Sequence, residues 1–140
     1  MGLFDKFKAP VAAAAVPDDL DFMGAIEAHI RWKVRLEAYV SGDGAEKLDP
    51  AVVGKDDLCA LGKWIYGPGG VNYGALPLFQ SLKETHAGFH QCAAQVIQSA
   101  DEGDTVKASE ILSRGCYAKH SNKVKAELAR LSIELDNSEE

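Results

Sequence analysis

Long apolar runs are missing from this chain. The longest, Val11 to Val16, holds six residues between Pro10 and Pro17, where about 20 are needed to cross a bilayer, so no membrane span is expected. Cysteine is scarce. The three present are far apart and odd in number, which argues against a disulfide framework, and no charged start, apolar centre and small-residue cleavage site marks a signal peptide. The cytoplasm is the simplest location. Basic residues are outnumbered, 15 against 21 acidic for a net charge of −6, and such a balance repels a phosphate backbone, so nucleic acid is not an expected partner. A myristoyl anchor is unsupported too, because Lys6 stands where that signal needs Ser or Thr. Sustained alternation of period two and internal repeats are also lacking, which leaves an all-α fold.

At 140 residues the chain has the size of one domain and can bury a core without disulfide or metal staples. Residues 1–17 read as a flexible tail and an alanine-proline linker. Asp18 or Asp19 then offers an N-cap for a helix running to about Val40, with Phe22, Ile26, His29, Leu36 and Val40 on its core-facing stripe and Ser41 to Gly44 ending it. After a loop containing Pro50, a short helix is expected from Asp56 or Asp57 through Cys59 and Ile65, stopping at Gly67 and Pro68. Gly67 to Tyr73 reads as a glycine-rich, irregular loop. A long helix follows from between Gly74 and Pro77 to about Ala100, and a last one from about Thr105 to Leu135, whose stripe is Val124, Leu128, Leu131 and Leu135. Residues 137–140 should be loose. The sum is an antiparallel bundle of about four helices, residues 18–136, with an additional short Cys-bearing helix.

Within this frame His29, Cys59, His86 and His90 are the candidate metal ligands. They supply three imidazoles and one thiolate, the donor types of a closed tetrahedral zinc site, and His86 and His90 project one turn apart from one helix face. Sulfur with imidazole favours zinc over magnesium or calcium. An imidazole on a core-facing stripe needs a partner to offset its desolvation. Gly62 removes a side chain beside Cys59, which allows close approach of another helix. Trp32, Trp64 and Tyr66 read as core or interface aromatics, His120 as solvated, and Cys92 and Cys116 as apolar filler. The metal-free alternative is a structural interaction protein with packed histidines.

Enzyme chemistry finds no support. Ala87 occupies the position where a helical zinc protease carries glutamate, the paired cysteines of a zinc deaminase are absent, and Glu84 is the one acidic residue near His86 and His90, too few for a di-iron bundle. Gly67, Gly69 and Gly70 lack the lysine of a phosphate loop.

The runs His29-Ile30-Arg31-Trp32-Lys33, Cys59-Ala60-Leu61-Gly62-Lys63-Trp64-Ile65-Tyr66-Gly67 and His86-Ala87-Gly88-Phe89-His90 resemble the chemoreceptor zinc-binding domain, over about residues 20–132. The resemblance implies that His29, Cys59, His86 and His90 bind Zn2+, that the fold is a helical bundle commonly paired as a homodimer, and that the protein is bacterial and cytoplasmic. It further implies that zinc occupancy, or oxidation of the zinc-bound cysteine by hypochlorous acid, alters a signalling output such as chemotaxis or cyclic-di-GMP synthesis. The residues before the bundle are too few for an output domain. A chemoreceptor or diguanylate cyclase is therefore expected to receive the signal by contact, the alternative being a stand-alone zinc buffer.

Overall fold

In the computed structural model, residues 20–43 and 46–138 are described, side chains through residue 136. The expected tail, the caps at Asp18 and Asp19 and the stop at Gly44 lie outside the described residues. Seven helices and no strand occur among those described: α1 (Phe22–Ser41), α2 (Pro50–Val53), α3 (Ala60–Ile65), α4 (Pro68–Tyr73), α5 (Pro77–Asp101), α6 (Thr105–Ser113) and α7 (Cys116–Ser138). The all-α expectation therefore holds. None of these helices is long and apolar enough to cross a membrane.

Local chemistry explains most boundaries. Asp21 caps α1 by accepting from Gly24 N–H at 3.0 Å, and Gly42 closes it in the left-handed region at φ 80°, a conformation that glycine adopts without steric cost. Asp104 caps α6 by accepting from Lys107 N–H at 3.0 Å. The three long helices, α1, α5 and α7, turn their stripes inward. Leu36, Phe89, Val124, Leu128 and Leu131 are fully buried, and each such side chain contributes about 1.5–3 kcal/mol through apolar burial. α5 is central, packing against α1, α2, α6 and α7, while α3 and α4 pack on each other.

Four boundaries differ from the sequence reading. Pro50–Val53 is a helical turn, started by Asp49, whose side chain accepts from Ala51 N–H at 2.9 Å. Cys59 does not sit inside the short helix but precedes it as the N-cap of α3. The glycine-rich stretch is helical rather than irregular, because Pro68 sets the first turn of α4 and Gly69 leaves room for the Trp64 ring, whose carbons a Cβ would meet at 2.7 Å. Trp64 is thereby buried in an aromatic cluster with Phe22, Tyr73 and Phe79, so it is a core residue and not an interface anchor. The expected last helix is broken into α6 and α7 at Arg114 and Gly115, where Gly115 N–H donates to the Glu110 carbonyl at 2.8 Å. α7 continues past Leu135 to Ser138.

Candidate metal centre

Two helices deliver the histidines to one point: His29 from α1, His86 and His90 from α5. All three are buried, at 3%, 0% and 3% exposure, and one ring nitrogen of each lies within 4.8 Å of those of the other two. They form a cluster able to hold a metal ion. The Cys59 sulfur stands 3.3 Å from His86 Nε2 and 3.5 Å from His90 Nε2, and the two histidine Nε2 atoms are 3.1 Å apart. Around a zinc with ordinary bond lengths, tetrahedral edges are about 3.6 Å for sulfur to nitrogen and about 3.3 Å for nitrogen to nitrogen. These three separations fall within a few tenths of an ångström of those edges, while Cys59 stands outside the group whose donor atoms all lie within 4.8 Å of one another.

Backbone carbonyls orient two of the rings. His90 Nδ1–H donates to the Val53 carbonyl at 2.9 Å, and His29 Nδ1–H donates to the Ala25 carbonyl at 2.7 Å. A carbonyl only accepts, so in each neutral ring the proton is on Nδ1 and Nε2 is a bare lone pair. The Val53 carbonyl ends α2 and has no partner within so short a helix, which is how that one turn fixes a ligand 37 residues away in sequence. Lone pairs that face one another in a dry site repel unless a cation or a proton lies between them. The donor set thus fits the ion that its chemistry implies. His86 Nδ1 is buried with no hydrogen-bond partner among the described residues.

The electrostatics point the same way. Burial, reinforced by the neighbouring rings, lowers the pKa of His86 to about 2. Burial also lowers those of His29 and His90, so all three are neutral at pH 7, the form that binds metal. Burial raises the Cys59 thiol, against the opposing pull of the Gly62 N–H, which lies 3.4 Å from the sulfur. Without a cation Cys59 keeps its proton. Phe89 walls the site, its ring centroid 4.7 Å from that of His29. On the other side a pocket of about 380 Å3, lined by Ala28, Ala60, Leu61 and Trp64 among others, reaches His29 and Cys59.

Gly62 serves a different neighbour from the one its sequence position suggested. The atoms nearest to it belong to the preceding loop, with the Asp56 carbonyl oxygen 1.8 Å from where a Cβ would stand. Two further expectations fail. Cys92 and Cys116 are joined as a disulfide, because the turns on either side of α6 bring the start of α7 back against α5. His120 is half-buried, with its ring packed over Gly88, and is not a solvated side chain. The Val53 and Ala25 carbonyls escaped the sequence reading, since a backbone acceptor carries no side-chain signal.

Residues 29–97 match the chemoreceptor zinc-binding domain. No curated protein and no solved structure matches the chain. That family is one of regulatory zinc-binding domains rather than enzymes. The buried histidine cluster lies inside the matched span, and the match supports a member of the chemoreceptor zinc-binding domain family.

Proposed function

We propose that His29, Cys59, His86 and His90 hold one Zn2+ and that the chain reports its occupancy to a bacterial signalling protein in the cytoplasm, such as a chemoreceptor or a diguanylate cyclase. The spacing of the Cys59 sulfur from the two Nε2 atoms, 3.3 and 3.5 Å, carries this reading. The bound ion supplies the positive charge that stabilises a buried thiolate and links three segments of backbone. Cys59 gives up its proton to bind, and α3 is then held to α1 and α5 through its own N-cap. When the site empties, Cys59 recovers the proton and α3 loses that tie. The segment from Asp56 to Tyr66 is the part whose mobility changes, and it is the surface that a partner reads.

The pocket beside Cys59 supports an oxidative version of the same switch. Hypochlorous acid reaching the sulfur transfers oxygen to it, giving sulfenic acid and chloride, and the oxidised sulfur is a poorer ligand. Pairing as a homodimer is supported by Met23, Ile30 and Val34, which are 66%, 50% and 62% exposed on one face of α1 at intervals of seven and four residues.

Elemental analysis of untagged protein tests the metal site, with about one zinc per chain expected. Cys59→Ser should lower affinity at least about tenfold. A chain that purifies without zinc and fails to compete with a chelator for it is the metal-free interaction protein instead. Hydrogen exchange separates sensor from buffer, because a sensor slows exchange over residues 56–66 when zinc is added and a buffer does not.

A further inference from the structure

A second sulfur site lies outside the metal centre. Cys92 on α5 and Cys116 at the start of α7 form a disulfide with Cα atoms 5.8 Å apart, within the ordinary span for such a bond. The two sulfurs sit in unlike surroundings. Cys92 is 5% exposed, whereas Cys116 is half-buried, with its sulfur 3.8 Å from Gln95 Oε1. His120, one turn after Cys116, donates Nδ1–H to the Cys116 carbonyl at 2.8 Å, and the same nitrogen stands 3.7 Å from the Cys92 sulfur. The ring is held there by Gly88, where a Cβ would come within 2.6 Å of it. Gly115 permits the sharp entry into α7, since a Cβ there would meet the Ile111 Cα at 2.8 Å. The corner, the ring and the two sulfurs are thus built as one unit, separate from Cys59.

We propose that Cys92 and Cys116 are a reversible thiol-oxidation site for hydroperoxides, with Cys116 the thiol that is attacked first and Cys92 the one that resolves it. The Cys116 thiolate, at the exposed end of the pair and at a helix start that favours its charge, displaces water from hydrogen peroxide with uptake of a proton and becomes sulfenic acid. The Cys92 thiol then attacks that sulfur, the S–S bond forms and the second water leaves. Two thiols are oxidised by two electrons and one peroxide is reduced to two waters. A dithiol reverses the step by thiol–disulfide exchange. His120, whose Nδ1–H is donated to the Cys116 carbonyl, ties the ring beside the Cys92 sulfur to the first turn of α7 and keeps the two sulfurs in register. Closing the bond pins the α6–α7 corner to α5 just beyond His90, and opening it frees that corner.

Peptide mapping of the full chain tests this, since trypsin places the three cysteines on separate peptides, residues 56–63, 84–107 and 115–119. Reduced, zinc-supplemented protein is treated with hydrogen peroxide, alkylated and digested. More than about half of the chains should carry 84–107 joined to 115–119, while Cys59 stays alkylatable, and a dithiol should restore both free thiols without unfolding. Cys92→Ser should leave a sulfenic acid on Cys116 that dimedone captures, and Cys116→Ser should leave Cys92 at least about tenfold slower to react. The proposal is overturned if peroxide leaves the pair reduced, if Cys59 is oxidised before it, if Cys92→Ser yields no dimedone adduct, or if the bond resists dithiol in folded protein and is therefore a fixed staple. A chain that binds no zinc would leave these outcomes unchanged, so failure of the metal reading and failure of this one are distinguishable.

Discussion

Replacing Gly62 by alanine sets two effects of opposite sign against each other. In a helix interior alanine is favoured by about 1 kcal/mol, so helix propensity alone makes Gly62→Ala stabilising. The new Cβ, however, would lie 1.8 Å from the Asp56 carbonyl oxygen and 3.0 Å from the Asp57 Cα. Those atoms are backbone, and they must retreat by more than about 1 Å to reach van der Waals distance. Overpacking of this kind costs about 1–3 kcal/mol, with the upper end expected where no side chain can rotate away. The net result is a loss of about 2 kcal/mol. Because the displaced loop runs directly into Cys59, and the Gly62 N–H is the group that holds the sulfur, the sulfur moves as well. Disturbing an outer contact to a metal ligand lowers affinity about 10- to 100-fold, which is about 1.4–2.8 kcal/mol. Urea unfolding of the metal-free protein measures the first quantity and competition with a chromophoric chelator the second. Gly103→Ala is the control, since Gly103 holds φ 85° far from the site: it should lose about 1 kcal/mol of stability and keep its zinc affinity. If Gly62→Ala is more stable than the parent and binds zinc equally well, the tight loop contact does not position the sulfur.

Stability of the metal-free protein should fall with acid in a defined direction. Burial lowers His29, His86 and His90 in the folded chain, so below about pH 6.5 the unfolded chain takes up protons that the folded one refuses. Stability is complete above that pH and declines below it by up to about 1.4 kcal/mol per pH unit for each ring, and the His86 contribution continues toward about 2; urea midpoints that stay level from pH 7 to pH 5 contradict this. The Tyr117 hydroxyl is buried and has no hydrogen-bond partner among the described residues, so Tyr117→Phe should raise stability by about 1 kcal/mol, and a lower melting temperature would show that the hydroxyl is satisfied. Chelation of zinc should lower the melting temperature, and re-addition at about 100 times the dissociation constant should restore about 2.7 kcal/mol; a melting curve indifferent to chelator argues against any bound ion in the native fold.

The helix content and the inward stripe of α7 were legible in the sequence because both are local. Apolar spacing of three and four residues selects one face of a helix whatever lies opposite, and Val124, Leu128 and Leu131 are indeed fully buried. The identity of the histidines as candidate donors was legible for a related reason: an imidazole on such a face must find a partner. Where periodicity fell silent, the sequence reading went astray. Gly69 reads as a helix breaker until Trp64 is seen to occupy the space it leaves, and the α6–α7 corner at Gly115 interrupts a run of residues that would otherwise continue one helix.

Only the tertiary structure decided how the donors are aimed. Chain distance says nothing about the approach of Cys59 to His86 and His90, because that separation depends on how α3 and α5 pack. The proton on His90 is placed by the Val53 carbonyl, a group that every residue carries and that acquires meaning only at the unpaired end of a helix. The same holds for the Cys92–Cys116 bond: two cysteines 24 residues apart are filler or a redox pair according to whether a corner turns between them. Amino-acid type set which chemistry was available to this protein, and packing set which groups share a site, because side-chain character is a property of one residue and proximity is a property of the whole fold.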